Sequence, residues 1–213
     1  MVSRLFSAFI MLVYLLSASA SNTPPSGAYK GCAAEGKGGD SQLNVLKNRS
    51  EQVPNPKPMT MADILALPAP SGVEKVNRSQ WPASALATVA EHEKEGVIVE
   101  GFWVQVRPEG LEATNCDDPT LHDFHLWLVE SSGQQKPKSM VTEMTPRWRG
   151  SNAGWNQKAI QRLISQGAKF RVTGWLLFDQ EHPEQINKFR ATLWEIHPIT
   201  KVEVFSGGKW REL

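Results

Sequence analysis

The chain has 213 residues, 40% of them apolar, with 23 lysines and arginines set against 22 aspartates and glutamates. This is enough chain for one well-buried domain, and the near-neutral balance excludes a general electrostatic attraction to nucleic-acid backbones or anionic membrane surfaces. Non-specific nucleic-acid binding is therefore disfavoured.

Residues 1–20 read as a signal peptide. Arg4 supplies the positive start, Leu5 to Leu16 the apolar stretch, and Ala18-Ser19-Ala20 the small-x-small cleavage signal. The apolar stretch is too short and too weakly flanked for a membrane span. The expectation is an exported, periplasmic or extracellular protein with no span after cleavage. Its charge is balanced, because the signal removes Arg4 and leaves 22 basic against 22 acidic side chains.

Residues 21–95 read as an irregular arm that wraps the main domain instead of folding alone. Prolines are frequent (Pro24, Pro25, Pro54, Pro56, Pro58, Pro68, Pro70), and Gly36, Gly38 and Gly39 cluster. Short helices are predicted over Asn44–Arg49, over Met61–Leu67 with Thr60 as N-cap, and weakly over 82–95. Cys32 lies in this arm and Cys116 beyond it. In an oxidising compartment these two cysteines pair most simply as a disulfide, contributing on the order of 4 kcal/mol in the chain-entropy picture. The alternatives are two free thiols or two metal thiolates, and the absence of a C-x-x-C spacing argues against the second.

Residues 96–213 change character. Val97–Arg107 is rich in β-branched and aromatic residues and reads as a strand, with Gly101 marking a bend or bulge. Residues 108–120 form a polar loop. A second strand runs over Leu121–Val129, a turn over 131–138, and a third strand over Ser139–Thr145, stopped by Pro146. Helical spacing of Trp155, Ala159, Ile160, Leu163 and Ile164 predicts a helix, with Asn152 as N-cap and Gly167 after its end. Lys169–Phe178 is a fourth strand, 179–188 a polar loop, and Phe189–Phe205 a fifth strand bent at Pro198. Three strands, a helix and two strands is the order of an OB-fold: a mainly β, five-stranded Greek-key barrel with its helix between strands three and four. An SH3-like barrel lacks that helix, and an immunoglobulin sandwich needs about seven strands.

Two strands carry an acid-x-histidine pair, Asp123-Phe124-His125 and Glu195-Ile196-His197. Residues two apart share a strand face, so each pair presents a carboxylate beside an imidazole. The Greek-key order puts strand three, with Glu143, between them. This allows a divalent-metal site drawing on His125, His197, Glu195 and the loop residue His182, which could activate water for hydrolysis. It equally allows structural polar groups on a half-buried face. No cofactor is otherwise indicated, and no H-E-x-x-H, nucleophile elbow or phosphate loop is present.

The eight tryptophans give the second signal. Trp127 shares a face with Asp123 and His125 and is the best ligand platform; Trp194 faces the opposite way and reads as core. Pro146-Arg147-Trp148-Arg149 is a basic-aromatic cluster, either an anion or ring contact or a solvated loop. The candidate ligand-binding set is Asp123, His125, Trp127, Glu143, Arg147 and Trp148.

Asp123-Phe124-His125-Leu126-Trp127-Leu128, Glu143-Met144-Thr145-Pro146-Arg147, Val172-Thr173-Gly174-Trp175-Leu176 with Asp179, Glu181, His182 and Pro183, and Leu193-Trp194-Glu195-Ile196-His197-Pro198 resemble segments of exported bacterial OB-like proteins of unknown function. The arm elements Gly31-Cys32 and Leu43 to Arg49 share that resemblance. It implies fold and export and brings no activity. Staphylococcal-nuclease-like enzymes are another OB-fold family, but their carboxylate and arginine arrangement is not found here, and fold alone does not transfer activity. The expectation is an exported binding module for a saccharide, a protein or another envelope partner. The alternative is a metal-dependent hydrolase.

Overall fold

The structure is a computed structural model that describes residues 23, 24 and 26–213; the signal peptide expected over 1–20 lies outside them. Five strands close into a barrel: β2 (Gly96–Pro108), β3 (Phe124–Val129), β4 (Met140–Met144), β5 (Phe170–Phe178) and β6 (Trp194–Ser206). Around the barrel the order is β2-β3-β4-β6-β5 and back to β2, antiparallel except where β4 runs parallel to β6. This is OB-fold-like topology, as the element order implied. Two short strands are added, β1 (Lys57–Pro58) parallel to β2 and β7 (Lys209–Glu212) antiparallel to β6.

Closure depends on strands that serve two partners. The first half of β2 pairs with β5 and the second half with β3. Gly101 stands at the changeover, where a Cβ would meet the Val129 carbonyl oxygen at 2.4 Å. The register shift itself lies between Trp103 and Val106. Gly174 plays the corresponding part opposite the bend at Pro198, whose carbonyl oxygen would lie 2.4 Å from a Cβ there. The His197–Pro198 peptide bond is cis.

Strand alternation fills the interior. Leu126, Leu128, Met140, Met144, Val172, Leu176, Trp194 and Ile196 point into one buried core. Each large side chain so buried contributes roughly 1.5–3 kcal/mol relative to exposure. Trp194 is core, as expected, and its indole donates to the Pro68 carbonyl.

The helix between strands three and four is α5 (Gln157–Ser165), which lies against β2. Its N-cap is Asn156, accepting from the Ala159 amide, and Asn152 does not serve. The Asn152 side chain instead donates to the Trp148 carbonyl. The reason is an extra helix before it, α4 (Pro146–Ser151), in the stretch read as a loop. Thr145 caps it and Pro146 takes its first turn, where a missing N–H costs nothing.

The arm carries α1 (Ser41–Lys47), α2 (Met61–Leu65, with a Thr60/Asp63 capping box) and α3 (Ala83–Glu93). It is fastened to the barrel. Cys32 and Cys116 form a disulfide with Cα atoms 5.8 Å apart. Arg147 donates to Asn48 Oδ1 and the Cys32 carbonyl, both at 3.0 Å, and to the Gly27 carbonyl. The Trp148 indole donates to the Arg49 carbonyl. Arg78 and Glu93 form a buried bidentate pair, both contacts 2.6 Å. No described helix is long and apolar enough to cross a membrane.

Candidate functional site

The same alternation that turns Leu126 and Ile196 inward turns Asp123, His125, Glu143, Glu195 and His197 to the outer face of the barrel. His125 lies opposite Glu143 in the β3–β4 register. Val141 lies opposite Glu195 in the parallel β4–β6 pair, so Glu143 and His197, two residues on, are neighbours as well. The side chains meet. His197 Nε2 is 3.2 Å from Asp123 Oδ2, and His197 Nδ1 is 3.2 Å from Glu195 Oε1 and 3.5 Å from Glu143 Oε2. His125 Nδ1 is 2.9 Å from Glu109 Oε1 and 3.4 Å from Glu143 Oε1. The two acid-x-histidine pairs thus feed one cluster, although the strand expected from Leu121 begins at Phe124 and leaves Asp123 just before it.

This outer face is not open to solvent. Asp123 and His197 are fully covered, and Glu143 and His125 are 7% and 5% exposed. The cover comes from the two loops that flank the usual OB ligand face, together with the arm. The loop after β2 contributes Glu109, Glu112 and Asn115, whose amide donates to Asp123 Oδ1 at 3.0 Å. The loop after β5 contributes Arg190, which is wholly buried and donates to Asp179 Oδ2 at 2.7 Å and Glu195 Oε2 at 2.9 Å. Helix α1 contributes Lys47, paired with Glu181 at 2.7 Å, and Asn44, which accepts from Thr114.

Burial and neighbouring charge divide the titrations. Burial pushes Glu143 well above the carboxylate range, the nearby Glu195 and Asp123 adding to this against the pull of His197. Burial alone would lower His197, but Glu143, Asp123 and Glu195 outweigh it and hold the imidazole up at about 10. Burial raises Glu112 to about 7, with Asp123 beside it. Burial would also raise Asp123 and Glu195; His197 and Asn115 hold the first below its usual range, and Arg190 and His197 the second. Burial lowers His125 despite Glu109, whose own carboxyl is held at about 2 by His125 and Arg107 against its burial.

The residues expected to bind ligand separate into two groups. Asp123, His125, Trp127 and Glu143 share the face, but Trp127, expected as an open ligand platform, is covered and only 2% exposed. Trp127 stacks on His125 with ring centroids 4.3 Å apart. Lys136 Nζ sits 3.5 Å over the Trp127 ring and the Arg107 guanidinium 5.5 Å from it. Arg147 and Trp148 are elsewhere in role: both are buried in α4 and hold the arm, so neither is part of a solvated loop. Of the four expected metal ligands, His125, Glu195 and His197 join the cluster, while His182 pairs with Asp179 at 2.8 Å in the loop. Among the described residues, Asp123, Glu143 and His197 each offer a ligand atom within 4.8 Å of the others.

Sequence reasoning missed Arg190, Asp179, Lys47, Asn115, Glu109 and Glu112. Arg190 falls in the stretch read as the start of the fifth strand, which begins only at Trp194; the others sit in loops and the arm, where no periodicity assigns a face. The one signal available was the number of charged residues in loops bordering an OB face. No family model matches the chain, and no curated protein matches it.

Proposed function

We propose that this protein is an exported OB-fold-like binding module. Its ligand is an acidic saccharide of the cell envelope, held at the rim of the outer β3–β4 face around Trp127. The observation that carries this reading is Lys136, whose ammonium lies 3.5 Å over the Trp127 ring and covers the indole on that face. Arg107 stands on the same ring. A sugar ring carrying a carboxylate displaces the lysine stem, uncovers the indole and stacks on it, and keeps Lys136 as its counter-ion, while Arg107 stays paired with Glu109 at 2.8 Å. The exposed Phe189, whose ring centroid lies 5.9 Å from the Lys136 ammonium, extends the apolar border of the face. Export is supported by the N-terminal pattern of Arg4, Leu5–Leu16 and Ala18-Ser19-Ala20 and by the Cys32–Cys116 disulfide.

The coverage of Asp123 and His197 weighs against metal-dependent hydrolysis, because a hydrolytic metal keeps an open position that substrate reaches.

Calorimetric titration with soluble muropeptides, with oligogalacturonate and with neutral chito-oligosaccharide tests the reading. Carboxylated sugars are expected to bind at least about tenfold tighter than the neutral one, which is about 1.4 kcal/mol. Lys136→Ala and Trp127→Leu each remove most of that binding. No heat with either acidic sugar, or binding indifferent to Lys136→Ala, refutes it.

A further inference from the structure

Beneath that rim lies a covered cluster of two carboxylates and an imidazole. We propose that Asp123, Glu143 and His197 form a divalent transition-metal centre, with zinc the best-matched ion, that pins the arm-covered face of the barrel. The proposal stands whether or not the rim binds sugar.

The geometry sets the ligand atoms. Glu195 Oε1 accepts from His197 Nδ1, and Arg190 holds the other oxygen of Glu195. This fixes the ring and leaves Nε2 as the ligating nitrogen, the carboxylate–histidine support common behind metal-bound imidazoles. Asn115 occupies Asp123 Oδ1, which leaves Oδ2 turned to the same point. His197 Nε2 and Asp123 Oδ2 are wholly buried and 3.2 Å apart, yet neither makes a hydrogen bond. The two atoms face each other as an ion pair without hydrogen-bond geometry, an arrangement that a cation between them would satisfy better. Donors on one tetrahedral ion with bonds of about 2.1 Å lie roughly 3.4 Å apart, close to this separation.

Charge points the same way. The buried cations nearby are already engaged: Arg190 with Asp179 and Glu195, Lys47 with Glu181. Asp123 has His197 as its ion-pair partner, and among the described residues Glu143 lies within ion-pair distance of His197, through Nδ1, and of His125. A dication held by both carboxylates would take the place of the His197 Nε2 proton, which is released on binding, and neutralise the covered acids directly. One nitrogen and two carboxylate oxygens suit zinc or manganese. Calcium wants six to eight oxygens, and thiolate-seeking ions find no cysteine here, since Cys32 and Cys116 are bonded to each other. Of the three ligands Glu143 is the most exposed, at 7%, so the ion enters there or is taken up before the arm docks.

The test is refolding and titration of the purified protein, made without metal-affinity resin. Wild type, Glu143→Gln, His197→Gln and the remote control Glu100→Gln are refolded with and without Zn2+, Mn2+ or Ca2+. Bound metal is measured by mass spectrometry and thermal stability by calorimetry. Wild type and Glu100→Gln are expected to retain one zinc per chain with a raised Tm. Glu143→Gln, which is isosteric and keeps the fold, binds zinc at least a hundredfold more weakly, and calcium has no effect on any chain. If His197→Gln does not fold, Co2+ absorption of the wild type reports the site, with a tetrahedral visible band lost in Glu143→Gln. Wild type without stoichiometric metal and with an unchanged Tm means a buried imidazolium only, and overturns the proposal. Zinc retained undiminished by Glu143→Gln overturns it equally.

Discussion

His197 donates from Nδ1 to Glu195 Oε1 at 3.2 Å, two residues back along the same strand, and the other oxygen of Glu195 rests on Arg190. One loop arginine thereby sets the orientation of an imidazole on a barrel strand. Arg190 bonds two buried carboxylates at once, so removing it strands both. Arg190→Met is expected to destabilise the fold by about 3–5 kcal/mol, the usual cost of leaving a buried charge unpaired. Urea denaturation measures this. A loss below about 1 kcal/mol contradicts the arrangement.

The arm depends on its covalent tie. Cys32 and Cys116 are separated by 84 positions, and opening a loop of that size costs on the order of 4 kcal/mol in the chain-entropy picture. Cys32→Ser with Cys116→Ser is expected to lower stability by that order and to speed proteolysis within residues 26–95. Equal denaturation midpoints with and without reductant would count against it.

Gly101 and Gly174 carry closure of the barrel. A methyl group at either meets backbone oxygen at 2.4 Å, contacts that a rotamer change cannot relieve. Gly101→Ala is expected to cost about 3 kcal/mol, at the upper end of ordinary overpacking. Gly110→Ala, where a Cβ meets open space, serves as the neutral comparison. Similar midpoints for the two variants would show that the strand switch tolerates a side chain.

His182 gives a pH signature. Its hydrogen bond to Asp179 raises its pKa above the ordinary value, against partial burial. Asp179, whose burial is outweighed by His182 and Arg190, is held far below the carboxylate range and stays charged throughout. A raised histidine contributes stability that is full below its unfolded pKa of about 6.5 and is lost as pH rises through the folded value. The difference in Tm between wild type and His182→Asn is therefore expected to be constant at pH 5.5–6 and to shrink above about pH 6.5. A difference that is flat, or grows with pH, contradicts the pairing. The effect is small because the ring is partly solvated.

The barrel was legible because alternation is a local property. Leu126 and Leu128 against His125 and Trp127, and Ile196 against Glu195 and His197, assign faces without knowledge of the neighbours. The Greek-key order then brought the two acid-x-histidine pairs to either side of Glu143. What sequence reading could not supply was everything brought by loops. Pro146 reads as a stop signal and is instead the first turn of α4, which converts Arg147 and Trp148 from solvated groups into anchors of the arm. Arg190 sits in a polar stretch read partly as strand, yet it is wholly buried. Trp127 shares its face with His125 as alternation requires, but the Lys136 over it belongs to a turn whose path periodicity does not fix.

The buried centre is tested most directly by diffraction from crystals of protein refolded with Zn2+, with data collected on both sides of the zinc absorption edge. The account predicts one strong anomalous peak about 2.1 Å from His197 Nε2 and Asp123 Oδ2, with Glu143 completing the set. No peak there at full zinc saturation, or a peak only on surface residues, contradicts it.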